Sequence, residues 1–142
     1  MLKVSRSQTE EKMGIYEDKC NRAADSSTSP DTLRELSNSY NITIVSLVAA
    51  NPSTPPETLR KLAEHVGWEV TSAVAANPST PADIISQFAK NEDWIHRSGA
   101  ASNPNIPQDA LDKLLLDSDK DVRYRAEQTD KKRLNNQTNN ER

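Results

Sequence analysis

The sequence has little of several residue types: one cysteine, three glycines and only 4% aromatic residues among 142. The single cysteine, Cys20, excludes an intrachain disulfide framework and a cluster of thiolate ligands. No apolar run approaches the about 18 residues of a membrane-spanning helix, and the opening stretch MLKVSRSQTEEK lacks the apolar core of a signal peptide. We therefore expect a cytoplasmic protein without membrane contact.

Apolar residues are also scarce, at 34% of the chain, whereas charged residues reach 27%. This supply suits an elongated repeat protein better than a globule, because each repeat buries only a narrow seam. The net charge of -3 is uneven: residues 131–142 hold four Lys or Arg and one Glu, a surplus of three, which leaves -6 on residues 1–130. Such an acidic body disfavours broad phosphate binding.

One segment recurs at a period of 26 residues. AANPSTPPETLRKLA begins at Ala49, AANPSTPADIISQFA begins at Ala75, and the weaker copy ASNPNIPQDALDKLL begins at Ala101. Each copy joins an Asn-Pro corner to a second proline, an acidic residue and apolar residues at helical spacing. A second helix start recurs at positions that suit an N-cap, namely Asn41, Gly67, Asp93 and Asp119.

Each repeat is therefore predicted to hold a short helix A of about ten residues, a turn, and a short helix B. Thr54 is the predicted N-cap of one helix A, with Glu57 reaching back to it. Helix B is predicted to end at Asn51, which tolerates a left-handed backbone. Because helices this short depend on their neighbours, the predicted fold is all-α, an α-solenoid of about four 26-residue repeats.

The solenoid is predicted to form a single domain over residues 1–130. Residues 8–24 are expected to form a capping helix that half-buries Cys20, and residues 25–128 hold the repeats. Residues 131–142 are polar and show no periodic pattern, so they are predicted to be a flexible tail.

Helix B carries the candidate interaction surface. Trp68 and Trp94 occupy equivalent positions, 26 residues apart, at the predicted start of helix B. Either they pack across adjacent turns or they form exposed binding anchors. Two further sets of equivalent positions vary freely in size and charge and are predicted to face solvent: these include Glu69, Thr71, Ile95, Arg97 and Arg123.

Catalytic and metal-binding patterns are missing from the sequence. The only histidines, His65 and His96, fall at different positions of the repeat, and no phosphate loop, dinucleotide fingerprint or nucleophile elbow occurs. The stretch DSDKD lacks the glycine and the distal glutamate of a calcium loop, so its acids are interpreted as caps. We expect no enzymatic activity and no cofactor.

The unit NPSTPPETLRKLAEHVGWEVTSAVAANP resembles the variant leucine-rich repeat. The resemblance covers about residues 25–128 and rests on the runs Asn-Pro…Pro-x-x-x-Leu-x-x-Leu-Ala and Val-x-x-x-Val-Ala-x-Asn-Pro. It implies a right-handed superhelix, a bacterial or phage source and a scaffold role; more loosely, the architecture is similar to HEAT-type repeats. An iron–sulfur cluster described for one relative is not implied, because that relative has several cysteines and this chain has only Cys20.

Two functions follow as hypotheses. The preferred one is a non-enzymatic module whose helices B bind a protein or peptide. The alternative is a nucleic-acid-associated solenoid that uses Arg97, Arg123, Arg125 and the basic tail. The charge of -6 on residues 1–130 disfavours this alternative.

Overall fold

The structure, a computed structural model, describes residues 6–141; residues 1–5 of the predicted domain and Arg142 of the predicted tail lie outside them. The described residues form nine α-helices and no β-strand, which confirms the all-α prediction. The helices are α1 (Arg6–Ala24), α2 (Pro30–Leu36), α3 (Ile42–Ala50), α4 (Pro56–Leu62), α5 (Trp68–Ala76), α6 (Ala82–Ala89), α7 (Trp94–Ser102), α8 (Gln108–Leu114) and α9 (Lys120–Asn140).

The helices alternate between two layers, as expected for a solenoid of helix pairs. Helices α1, α3, α5, α7 and α9 pack side by side and form the helix B layer. Helices α2, α4, α6 and α8 form the helix A layer, with α6 against α7 and α8 against α9. Four A–B pairs thus follow α1, which packs on α2 and α3 with Cys20 half-buried. The right-handed sense of the superhelix stays a prediction.

The core is a repeated seam between the two layers. Leu59 of α4 and its equivalent Ile85 of α6 are both fully buried, as are Val70 and Val74 of α5. Each helix contributes only a few such side chains, so a single A–B pair buries too little apolar surface to stand alone. This seam fixes which face of each helix B is left open.

Helix A starts differently from the prediction and is seven or eight residues long. The N-cap of α4 is Pro55, not Thr54, and it has no side-chain capping bond. Because proline has no N–H, Glu57 has no donor to reach back to, and the predicted capping box is wrong. The Thr54 hydroxyl instead donates to the Val48 carbonyl at 2.6 Å, so it satisfies the end of the preceding helix B.

The predicted starts of helix B are confirmed. Asn41, Gly67, Asp93 and Asp119 are the N-caps of α3, α5, α7 and α9. The residue two positions earlier accepts a hydrogen bond from the cap's own N–H in every repeat; His65 Nδ1, for example, accepts from Gly67 at 2.9 Å. These local bonds place the first residue of each helix B in the same register.

The asparagine corners serve a purpose that differs from the prediction. No residue in the described part of the chain has a positive φ, and Asn77 has φ -73° and ψ 125°. Asn77 is buried, and its Nδ2 donates to the carbonyl oxygens of Ala49 at 2.7 Å and Asn51 at 2.8 Å. Thr129 of α9 takes the equivalent place and donates to Ala101 at 2.6 Å. The corners therefore join each repeat to the one before it.

The segment predicted to be a tail has regular structure over residues 131–140, which continue α9 to Asn140. Arg133 lies within this segment, and its guanidinium donates to the Pro104 carbonyl at 3.0 Å, to the Ile106 carbonyl, and to Gln108 Oε1 at 3.0 Å. Polar composition alone indicated disorder, whereas these contacts attach the segment to the start of α8.

Candidate interaction surface

Trp68 and Trp94 are the first residues of α5 and α7, placed there by the N-caps Gly67 and Asp93. Their side chains are 55% and 46% exposed, so the neighbouring turns cover only about half of each ring system. Of the two arrangements left open by the sequence, packing across adjacent turns therefore accounts for only part of each ring system.

Two adjoining hollows, each of about 420 Å³, open between α5, α7 and α9. The first lies between Trp68 and Trp94, and Ser72, Ala76 and Gly99 contribute to its lining. The second is lined by Trp94 together with Tyr124, Gln128 and Lys132 of α9. Because Trp94, Ser102 and Arg125 line both hollows, the two are continuous. We call this continuous surface the open groove.

Small residues explain why the groove is hollow. A Cβ atom on Gly99 would lie 2.9 Å from Ala75 Cβ and 3.1 Å from the Ser72 carbonyl oxygen. Contacts at these distances require something to shift, so the absent side chain lets α7 approach α5 closely. The tryptophan rings therefore project beside a surface of small residues, which we call the floor of the groove, and are not packed between large side chains.

One of the two sets of equivalent positions predicted to face solvent faces inward instead, so the prediction is wrong for this set. Its members are Val45, Thr71, Arg97 and Arg123. Val45 and Thr71 are 2% and 6% exposed, and the other two residues are half-buried. Thr71 Oγ1 lies 2.6 Å from His96 Nε2, which points into the core. The residue at this position differs between the repeats because side chains of different size and polarity can each occupy the same site at the edge of the core.

Arg97 and Asp117 form a half-buried ion pair with two contacts, Nε to Oδ2 at 2.9 Å and Nη2 to Oδ1 at 3.1 Å. The hydrogen bonds that Arg97 donates to Asp117 raise the pKa of Arg97 above its ordinary value. Burial opposes ionisation of Asp117, but hydrogen bonds from Arg97 and the Asp119 N–H hold its pKa below the usual value. Arg97 Nη1 also donates to the carbonyls of Asn91 and Glu92, so the Arg97 guanidinium joins the turn before α7 to this helix.

The arginines of the nucleic-acid hypothesis are therefore unequal. Arg123 repeats the structural role of Arg97, since its Nη1 donates to the Asp117 carbonyl. Arg125 is exposed and lines both hollows. In the basic segment, Lys131 and Lys132 are exposed, whereas Arg133 is engaged with the α8 region.

The open groove brings together only part of the predicted surface. Trp68, Trp94 and the half-buried Ile95 line it, and the exposed Glu69 follows Trp68 on α5. Thr71 is buried instead, and Arg97 and Arg123 are half-buried and engaged within the fold. Tyr124 and Lys132 were missed by sequence reasoning because α9 departs from the repeat pattern where these residues occur.

His96 replaces an apolar residue of the repeat within α7. Its ring stacks on Phe88, with centroids 5.6 Å apart, while its buried Nδ1 has no hydrogen-bond partner and lies 3.8 Å from Asp93 Oδ2. Within residues 6–141, no group of three or more His, Cys, Asp or Glu side chains is arranged to hold a metal ion.

None of the helices in the described part of the chain is both long and apolar enough to cross a membrane.

Comparison with known proteins finds a family model that matches part of the repeats. Residues 44–92 match the family model described as the Leucine Rich Repeat Variant domain. No curated protein and no solved structure matches the chain. The matched segment runs from within α3 to just beyond α6, and the same buried asparagine corner recurs after it at Asn103. Over residues 44–92 the chain is therefore similar to the variant leucine-rich repeat family, and this match supports the resemblance found in the sequence.

Proposed function

We propose that this chain is a non-enzymatic scaffold that binds an extended segment of a partner protein in the open groove. The observation that carries the proposal is the pair Trp68 and Trp94, 55% and 46% exposed at equivalent positions beside a floor of small residues. Tryptophan is enriched among the residues that dominate binding energy, and such residues sit in or beside concave surfaces.

The direction of the groove favours an extended ligand. It crosses α5, α7 and α9, and neighbouring packed helices have axes about 8–10 Å apart. A ligand that contacts all three helices must span about 20 Å, which is about six residues of extended chain. Solenoids commonly bind their partners along such repeat-generated surfaces.

A random dodecapeptide library selected against the whole chain tests this proposal. Peptides that bind saturably should be measured by calorimetry, because substitution of tryptophan removes a fluorescence signal. The double variant Trp68→Ala/Trp94→Ala should bind them about tenfold more weakly or worse, as expected for loss of two anchors.

Tyr40→Ala is the matched control, since Tyr40 is a fully exposed aromatic residue in a turn outside the groove. It should leave peptide binding unchanged. Circular dichroism should show that both variants keep their helical content. The proposal is overturned if no peptide binds saturably, or if the peptides bind the tryptophan double variant as tightly as the unmodified chain.

A nucleic-acid role has less support in the geometry. Arg97 and Arg123 are engaged within the fold, and the exposed cations Arg125, Lys131 and Lys132 share α9 with three carboxylates, Asp121, Glu127 and Asp130. The described residues offer no continuous basic stripe of the kind that phosphate backbones require.

A further inference from the structure

We infer that the segment bound in the open groove is proline-rich and acidic: its prolines pack against Trp68 and Trp94, and a carboxylate pairs with Arg125. The inference rests on the proposed function and adds the chemistry of the ligand. Two independent features of the groove lead to it, an unpaired cation and the spacing of the aromatic residues.

Arg125 is the cation in question. It is exposed and lines both hollows, yet no hydrogen bond or ion pair engages its guanidinium among the described residues. Asp121 lies one helical turn earlier on α9, and still no ion pair joins the two side chains. By contrast, Arg60 and Arg97 are both paired with carboxylates. Arg125 therefore presents a planar donor surface suited to a carboxylate from a ligand.

The charges around Arg125 favour an anionic group. Lys132 lines the second hollow with it, and Asp121 is the one carboxylate in that lining. The surplus is therefore one positive charge at the α9 end of the groove, although the whole chain has a net charge of -3. A ligand carboxylate placed there meets attraction that most of the surface does not offer.

The repeat spacing favours a polyproline II helix. Trp68 and Trp94 start adjacent helices of one layer, and packed helices are about 8–10 Å apart. A polyproline II helix has three residues per turn and a rise of about 3.1 Å, so the same face recurs about every 9 Å. In a β-strand the same face recurs about every 7 Å, which matches less well. Aromatic-lined grooves bind such segments because the ligand is already extended and loses little entropy.

Three fluorescein-labelled peptides test the inference: four tandem copies of Pro-Pro-Glu, of Pro-Pro-Gln or of Pro-Pro-Lys. Binding to the whole chain should be followed by fluorescence polarisation at low and at high salt. At low salt the Glu peptide should bind about fivefold more tightly than the Gln peptide, and the Lys peptide more weakly than both. The difference between Glu and Gln should shrink as salt rises.

Variants assign this preference to particular side chains. Arg125→Gln/Lys132→Gln should remove the difference in affinity between the Glu and Gln peptides. Asp121→Asn should enlarge the difference, because a competing carboxylate is removed. Lys113→Gln, which removes an exposed cation of α8 outside the groove, is the matched control and should change nothing.

A fourth peptide, four tandem copies of Gly-Gly-Glu, has the same charge without the preformed helix and should bind more weakly than the Pro-Pro-Glu peptide. Equal affinity for these two peptides overturns the proline part of the inference. The acidic part is overturned if the Glu and Gln peptides bind equally, or if their difference survives in Arg125→Gln/Lys132→Gln. If none of the four peptides binds while library-selected peptides still depend on the tryptophans, the inference fails and the proposed function stands.

Discussion

The side-chain amide of Asn77 donates a hydrogen bond of 2.8 Å to the backbone carbonyl of Asn51, its own equivalent one repeat earlier. The same nitrogen donates to Ala49 at 2.7 Å, and the Asn77 Oδ1 accepts from the Ser79 N–H at 2.9 Å. Asn103 makes the corresponding bond to Asn77. A buried asparagine thus uses both its donors and its acceptor to bind successive repeats together.

Asn77→Asp should destabilise the chain by about 3 kcal/mol or more, because a carboxylate would face two carbonyl oxygens without a donor. Urea unfolding at pH 7, followed by circular dichroism, measures the loss in the free energy of unfolding. The expectation applies to the whole chain, since each repeat depends on its neighbours.

Asn91→Asp is the matched control for this substitution. Asn91 uses only its Oδ1, which accepts from the Asp93 N–H at 2.8 Å, and Asp117 does the same one repeat later. Asn91→Asp should therefore lower the free energy of unfolding only slightly. Equal stability of the two variants would show that the corner does not need its amide donors.

The sequence predicted the repeat and the starts of helix B correctly because both depend on local chemistry. Asn41 and Asp119 cap their helices through bonds to N–H groups two or three residues away, and such caps are visible in a short stretch of sequence. The period of 26 then places the same cap in each repeat.

Predictions failed where the partner of a side chain lies in a different repeat or helix. The local pattern Thr-Pro-Pro-Glu suggested Thr54 as an N-cap, but its hydroxyl donates to Val48 of the preceding helix. Arg97 was predicted to be exposed because its equivalents differ in size, yet it reaches Asp117, 20 residues later. Arg133 likewise fixes a segment whose polar composition suggested disorder. Composition and periodicity do not specify such pairings.

The stability of the chain in acid should depend on Asp117. Its pKa is held below the usual value in the folded state, because hydrogen bonds from Arg97 and the Asp119 N–H outweigh the opposing effect of burial. A depressed folded pKa contributes stability that is complete above about pH 5 and is lost as the pH falls towards about 3. Asp117→Asn should be less stable than the unmodified chain at pH 7 and should lose less stability between pH 5 and 3.

Urea unfolding at pH 7, 5, 4 and 3 measures this dependence. Asn91, the equivalent residue one repeat earlier, shows that an asparagine supports the same turn, so Asp117→Asn should still fold. Glu127→Gln, at an exposed carboxylate of α9, is the control and should follow the unmodified chain. If the free energy of unfolding fell as steeply between pH 5 and 3 in Asp117→Asn as in the unmodified chain, Asp117 would not be the source of the acid dependence.

A missing ion pair in the helix A layer can be restored. Arg60 of α4 pairs with Asp83 of α6 at 2.8 Å, and the equivalent pairing occurs one repeat earlier. One repeat later the arginine position holds Ser86, which lies beside Asp109 in a small hollow between α6 and α8. Ser86→Arg should raise the urea midpoint slightly, and the gain should disappear in about 1 M salt because exposed pairs are screened.

The control for this gain is Ser86→Arg combined with Asp109→Asn, which keeps the long side chain but removes its partner. The double variant should show no salt-dependent gain. A gain of the same size in both variants would mean that the arginine stabilises the chain through packing and not through the ion pair.

Gly99→Ala should destabilise the chain, although replacing glycine by alanine inside a helix normally stabilises it by about 1 kcal/mol. The new Cβ would lie 2.9 Å from Ala75 Cβ and 3.1 Å from the Ser72 carbonyl oxygen of α5. Because backbone is one of these neighbours, α7 must move away from α5, and we expect a loss of about 1–3 kcal/mol. Urea unfolding measures the loss.

Gly14→Ala in α1 is the matched control, since a Cβ at that position meets no atom within 4 Å. It should show the ordinary gain of about 0.5–1 kcal/mol from reduced freedom of the unfolded chain. The difference in sign between the two substitutions isolates the close approach of α5 and α7 that forms the floor of the open groove. If Gly99→Ala stabilised the chain as much as Gly14→Ala, the helices would have to be able to separate at almost no cost, and the groove would not need a glycine.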